Sequence, residues 1–192
     1  SNRSSLAVYL LTCSGFIASG ANADYGVVEA TGAFQLPGGS TTTYVSEVGA
    51  PSNPRIQGYN FGSVNTLTGQ TLLLQNFYFE NYAFNGAPSS GNNWLNENSI
   101  ATLNVLIYQG TTQISNTDYA LKQTAINGNN RNWDMATGTN TNLAAGLDTG
   151  AYTATFNVTY TYFQWNGVAG QSTETSSAGP ATGTFSVLVP AP

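Results

Sequence analysis

The stretch Ala151 to Trp165, "AYTATFNVTYTYFQW", alternates without a break. Tyr152, Ala154, Phe156, Val158, Tyr160 and Tyr162 fall on one side; Thr153, Thr155, Asn157, Thr159 and Thr161 fall on the other. Successive side chains of a strand point to opposite faces, so this pattern requires a long β-strand with one buried face and one wet face. Such a strand needs partners at both edges and a cover over its apolar side. Leu103, Val105 and Ile107 alternate inside Ile100 to Gln109, with Tyr108 on the outer side, and Phe185, Val187 and Val189 alternate inside Thr182 to Val189 before Pro190 ends the run. From Tyr25 onward Val28, Ala30, Phe34 and Leu36 share a face, and Pro37-Gly38-Gly39-Ser40 supplies a turn.

Gln70 to Glu80 is apolar on both faces, with Leu72, Leu74 and Tyr78 alternating with Leu73, Phe77 and Phe79, which marks a central strand. Val45 and Glu47 indicate a short polar edge strand, and Thr111 to Ile126 reads as two short strands around Asn116-Thr117-Asp118. Three long connections lie between these runs: the Pro- and Gly-containing segment from Pro51 to Gly69, "YAFNGAPSSGNNWLNENS", and "NGNNRNWDMATGTNTN". No window sustains a 3.6-residue period with caps. The expectation is one all-β domain over residues 24–192, an antiparallel β-sandwich, Ig-like or jelly-roll, of seven to nine strands with long loops.

Charge narrows the function. Four basic residues stand against nine acidic ones, histidine is absent, and only 7% of the 192 residues are charged. Arg3, Arg55, Lys122 and Arg131 are too scattered to form a footprint for a phosphate backbone, which argues against nucleic acid and anionic membranes. One cysteine, Cys13, and no histidine rule out a Cys/His metal centre, and no cofactor motif is present. Acid–base catalysis needs two titratable groups brought together; Glu80 and Asp134 are the more suggestive carboxylates, yet no spacing links them. Serine and threonine lack a histidine base, and Lys122 is a weak substitute, so no enzyme is expected.

The opening of the chain is its most apolar part. Arg3, the run Leu6 to Ala18 and the triplet Ala21-Asn22-Ala23 before Asp24 have the layout of a secretory signal, which predicts export. The run is too short to span a membrane, and Ser14-Gly15 interrupts it. The other reading of residues 1–23 is a retained strand, with Leu6, Val8 and Leu10 filling a groove in a neighbouring subunit by strand addition.

Two segments carry ligand chemistry. "GNNWLNEN" holds Trp94, and "NNRNWDMA" holds Asn132, Trp133 and Asp134. A flat ring among amides suits a sugar, whose C–H face packs on the ring while the amides read its hydroxyls. Asn130, Asn132 and Asp134 also alternate like the start of a calcium loop, but the glycine and distal glutamate are missing, so no metal is expected. Asn2 and Asn157 begin glycosylation sequons.

"NLAAGLDTGAYTATFNVTY", Asn142 to Tyr160, resembles the closing hairpin of secreted bacterial surface β-sandwich modules, such as donor-strand filament subunits. The ending "FSVLVPAP" is similar to the strand and Val-Pro junction before the sorting tail of PEP-CTERM-type surface proteins. These resemblances imply a β-sandwich at the cell surface. The leading functional reading is therefore an extracellular structural subunit of a filament or matrix, a homopolymer joined through the N-terminal segment. The alternative is a secreted glycan-binding module using Trp94 and Trp133 with Asn132 and Asp134.

Overall fold

In the computed structural model, which describes residues 25–46, 53–83, 93–94, 99–127, 130–165 and 171–188, the long alternating run is the strand expected, and eleven strands are present. In chain order they are β1 (Tyr25–Gln35), β2 (Thr41–Val45), β3 (Tyr59–Asn65), β4 (Leu73–Ala83), β5 (Asn93–Trp94), β6 (Ala101–Gln109), β7 (Thr112–Asn127), β8 (Asn130–Asp134), β9 (Thr141–Asn142), β10 (Gly150–Trp165) and β11 (Gln171–Leu188). Residues 1–23, and with them Leu6, Val8, Leu10 and Asn2, lie outside the described residues.

The strands form one sheet in the order β2-β1-β4-β8-β7-β6-β10-β11-β3, with β5 paired to β10 and β9 paired to β4. The sheet curls into a half-barrel. Its bend falls within β7, whose first part pairs with β6 from Thr112 to Leu121 and whose last part pairs with β8 from Lys122 to Asn127. The curl brings β1 and β4 over β10: Phe34 meets Phe156 at 5.3 Å between ring centroids, and Phe79 meets Tyr160 at 5.3 Å. Tyr152, Ala154, Phe156, Val158, Tyr160 and Tyr162 are all buried in this core, with Leu103, Val105 and Ile107 beside them.

The two outer strands of the sheet approach each other. Tyr44 of β2 packs on Tyr59 and Phe61 of β3 at 4.5 and 5.4 Å, and Phe34 reaches Phe61 at 4.8 Å. The backbone follows the rings: Val45 N donates to Pro54 O at 2.9 Å, and Ile56 N donates to Val45 O at 2.8 Å. Among the described residues no helix is long and apolar enough to cross a membrane.

Several expectations are corrected. Pairing is not purely antiparallel, because β3 runs parallel to β11 and the Val45–Arg55 bridge is also parallel. Among the described residues the strand count is eleven rather than seven to nine, since all three segments read as connections contain strands: β3 in the stretch before Gly69, β5 in the segment that holds Trp94, and β8 and β9 in the Asn-rich segment, while the last strand begins at Gln171 rather than Thr182. Thr112 to Asn127 is one strand, not two; Asn104 Nδ2 on β6 donates to both Asn116 Oδ1 and Asp118 Oδ1 at 2.6 Å, holding the expected turn extended. In β4 the faces differ from simple alternation. Ala33 pairs with Asn76 but Phe34 pairs with Leu74, so Gln75 is the extra residue of a bulge, and Leu74 and Phe77 both turn inward while Tyr78 turns out.

Candidate functional site

Beyond that bulge, β4 presents Asn76, Tyr78, Glu80 and Tyr82 outward, alternating with the buried Phe77, Phe79 and Asn81. β8 lies alongside with the same parity: Tyr78 is opposite Asp134, Glu80 opposite Asn132, and Tyr82 opposite Asn130. On the far side of β8, Lys122 of β7 is opposite Asp134. Three adjacent strands thus place amides, carboxylates, phenols and one ammonium on one outer face. At 3.3 Å per residue, the row from Asn76 to Tyr82 is about 20 Å long.

The polar groups are fixed by one another. Asp134 Oδ1 accepts from Asn76 Nδ2 at 2.9 Å, and Asp134 Oδ2 accepts from Thr124 Oγ1 at 2.9 Å. Asn76 Oδ1 in turn accepts from Met135 N at 3.2 Å, which sets the orientation of the amide. Glu80 Oε2 accepts from the Tyr78 hydroxyl at 2.8 Å, and Glu80 Oε1 from Asn130 Nδ2 at 2.6 Å. The buried carbonyl oxygen of the Asn132 side chain has no partner. Burial, then the hydrogen bond to Glu80 and the charges of Glu80, Glu29 and Asp134, push the Tyr78 phenol well above its ordinary range.

One end of the row is aromatic and the other is concave. Tyr82 lies across Gly26, its cross-strand neighbour on β1; a Cβ there would stand 2.7 Å from the ring, so only glycine leaves the ring this seat. The ring is 37% exposed. At the opposite end a groove of about 750 Å³ opens, lined by Gln75, Asn76, Lys122, Thr124, Asp134 and Thr137 among others. Lys122, the chain's single lysine, is exposed there.

The residues singled out from sequence are divided by this arrangement. Asn132 and Asp134 lie on the outer face. Trp133, between them, points the other way: it is 3% exposed, with Nε1 donating to Asn81 Oδ1 at 2.8 Å. A sugar cannot stack on a ring so enclosed, so Trp133 is corrected from ligand platform to core residue. Trp94 pairs through its backbone with Phe163 of β10, and its side chain lies outside what is described. Asn130, Asn132 and Asp134, whose alternation resembles the start of a calcium loop, occupy alternate positions of a strand. Asn157 lies in the middle of β10 on the outward side, opposite Asn104 of β6.

Glu80 and Asp134, unlinked in sequence, are neighbours on this face. Each accepts two hydrogen bonds from neighbouring side chains, which fixes its orientation on the face. The row on β4 escaped the sequence reading because the bulge at Gln75 breaks the alternation; the signal that points to it is the polar-or-phenolic series at residues 76, 78, 80 and 82. No known protein family matches the chain, no curated protein is similar to it in sequence, and no solved structure matches it.

Proposed function

We propose that this chain is an extracellular glycan-binding protein that holds an extended sugar chain along the outer face of β4, β8 and β7. The observation that carries the reading is the pairing of the Tyr82 ring, seated on Gly26, with the pre-arranged hydrogen-bonding row that runs from Glu80 and Asn130 to Asp134 and Asn76. A pyranose presents C–H groups to an aromatic face and hydroxyls at its rim, and this surface offers a ring followed by fixed acceptors and amides. Because the groups are already held by neighbours, little side-chain freedom is lost on binding. The length of the row fits an oligosaccharide better than a single sugar. The charge-poor composition, with few basic residues and many hydroxyl and amide side chains, supports the extracellular location.

Binding of the purified protein to an oligosaccharide array tests this. Tyr82→Ala and Asp134→Ala are each expected to weaken the signal at least tenfold, and Trp133→Phe to leave it within twofold. Equal binding by the first two variants would refute the proposal.

A further inference from the structure

The strand order has two ends, β2 and β3, and the curl covers both of them against each other through Val45, Pro54, Ile56 and the Tyr44, Tyr59 and Phe61 rings. A different stretch of edge is left bare. β8 runs beside β7 only from Lys122 to Asn127, while Thr112 to Leu121 pairs with β6 on one side and with no described strand on the other. The residues along this stretch are mostly exposed. An unpaired edge is ordinarily blunted by lysine, proline or an inward-facing charge, and Gln113 to Ala120 contains none of these. Its one charged residue, Asp118, faces outward and is held by Asn104. Beside the edge lies a cavity of about 200 Å³, lined by Val105, Ile107, Thr117, Tyr119, Leu143 and Leu147 among others.

A bare strand edge next to a cavity that is apolar on one part of its lining, at Val105, Ile107, Leu143 and Leu147, and polar on the rest, at Ser115, Thr117 and Asn142, accepts an extended peptide that supplies a ladder of backbone hydrogen bonds and apolar side chains at every second position. The chain carries one such peptide outside the described residues: Leu6, Val8 and Leu10 occur at alternate positions within the run Leu6 to Ala18. It is tied to β1 at Tyr25, and the intervening residues 11–24, fully extended, reach up to about 45 Å. Tyr25 is opposite Ala83, at the end of the sheet where β7 finishes, whereas the bare edge belongs to the first half of β7. That distance along β7 is within the peptide's reach, so the oligomeric state decides whether the donor comes from the same molecule or from another.

We propose that the bare edge of β7 is an assembly site, filled by Leu6, Val8 and Leu10 of a second copy of this chain, so that copies join head to tail. This surface is separate from the glycan face, and either reading stands without the other. The test is the mass of the native protein, read first as the N-terminus of the mature chain and then by light scattering. Thr117→Lys puts an inward charge on an exposed position of the edge, and Val8→Lys puts one on the donor. The expected result is a chain that retains residues 1–23, forms oligomers, and needs at least tenfold higher concentration to assemble with either substitution. A mature chain starting at Asp24, a monomeric full-length protein, or oligomers unaffected by both substitutions would overturn it.

Discussion

Trp133 and Asn81 are joined inside the core by a 2.8 Å hydrogen bond from the indole Nε1 to the side-chain carbonyl, and the two residues are 3% and 0% exposed. The bond links β8 to β4 directly beneath the outer polar row. Trp133→Phe leaves the Asn81 oxygen buried without its donor, at a cost of about 1–3 kcal/mol. Urea denaturation is expected to show that loss while glycan binding is kept, which separates the core role of Trp133 from the surface role of its neighbours.

Gly26 tests how the aromatic platform is held. A Cβ at this position meets the Tyr82 ring at 2.7 Å, and the ring, being partly exposed, has room to swing away. Gly26→Ala is therefore expected to reduce glycan affinity about as far as Tyr82→Ala does, with a stability change below about 1 kcal/mol. Titration calorimetry alongside thermal unfolding reads both quantities on one sample.

Alkaline pH probes the phenol at the centre of the row. The Tyr78 phenol is pushed up from its ordinary value of 10.0, first by burial and then by Glu80, so above pH 10 the unfolded chain sheds this proton while the folded chain keeps it. The folded state then binds more protons than the unfolded one, and stability falls as pH rises. Burial pushes Tyr44 in the same direction. The melting temperature is expected to drop from pH 10 upward, and Tyr78→Phe should shallow that fall while lowering the plateau through loss of the hydrogen bond to Glu80.

The seam between β2 and β3 has no slack. Gly183 of β11 lies against the Phe61 ring so closely that a Cβ would overlap it, and Phe61 is fixed by Phe34, Tyr44 and Tyr59. Gly183→Ala is expected to destabilise by about 1–3 kcal/mol, as overpacking in a closed core does. A shift of the urea midpoint with an unchanged slope would show it.

What the sequence made legible follows from where the alternation is clean. β10 and β6 were readable to within a residue or two because the apolar and polar positions take turns without interruption and the apolar set is buried. β4 was readable as a strand but not by face, because one bulge residue, Gln75, reverses the parity halfway along. β8 was hidden by composition: Asn130, Asn132 and Asp134 look like a loop, yet Arg131 and Trp133 between them are buried and make a strand. The first half of β11 was hidden similarly by Ser, Gly and Pro residues that β10 pairs across. Asn132, Asp134 and Glu80 were recognisable as candidates, but that Glu80 stands opposite Asn132, that Asn76 donates to Asp134, and that Tyr82 closes the row became visible only through pairing across strands.

Nitrogen-resolved NMR of the side-chain amides reads directly whether a sugar lies along the proposed face of β4, β8 and β7. With an oligosaccharide selected from the array, the Asn76, Asn130 and Asn132 amide signals are expected to shift together with the Tyr82 ring, while those of Asn104 and Asn157 on the far side of the sheet stay still. Shifts confined to Asn104 and Asn157, or no shifts at saturating sugar, would contradict the account.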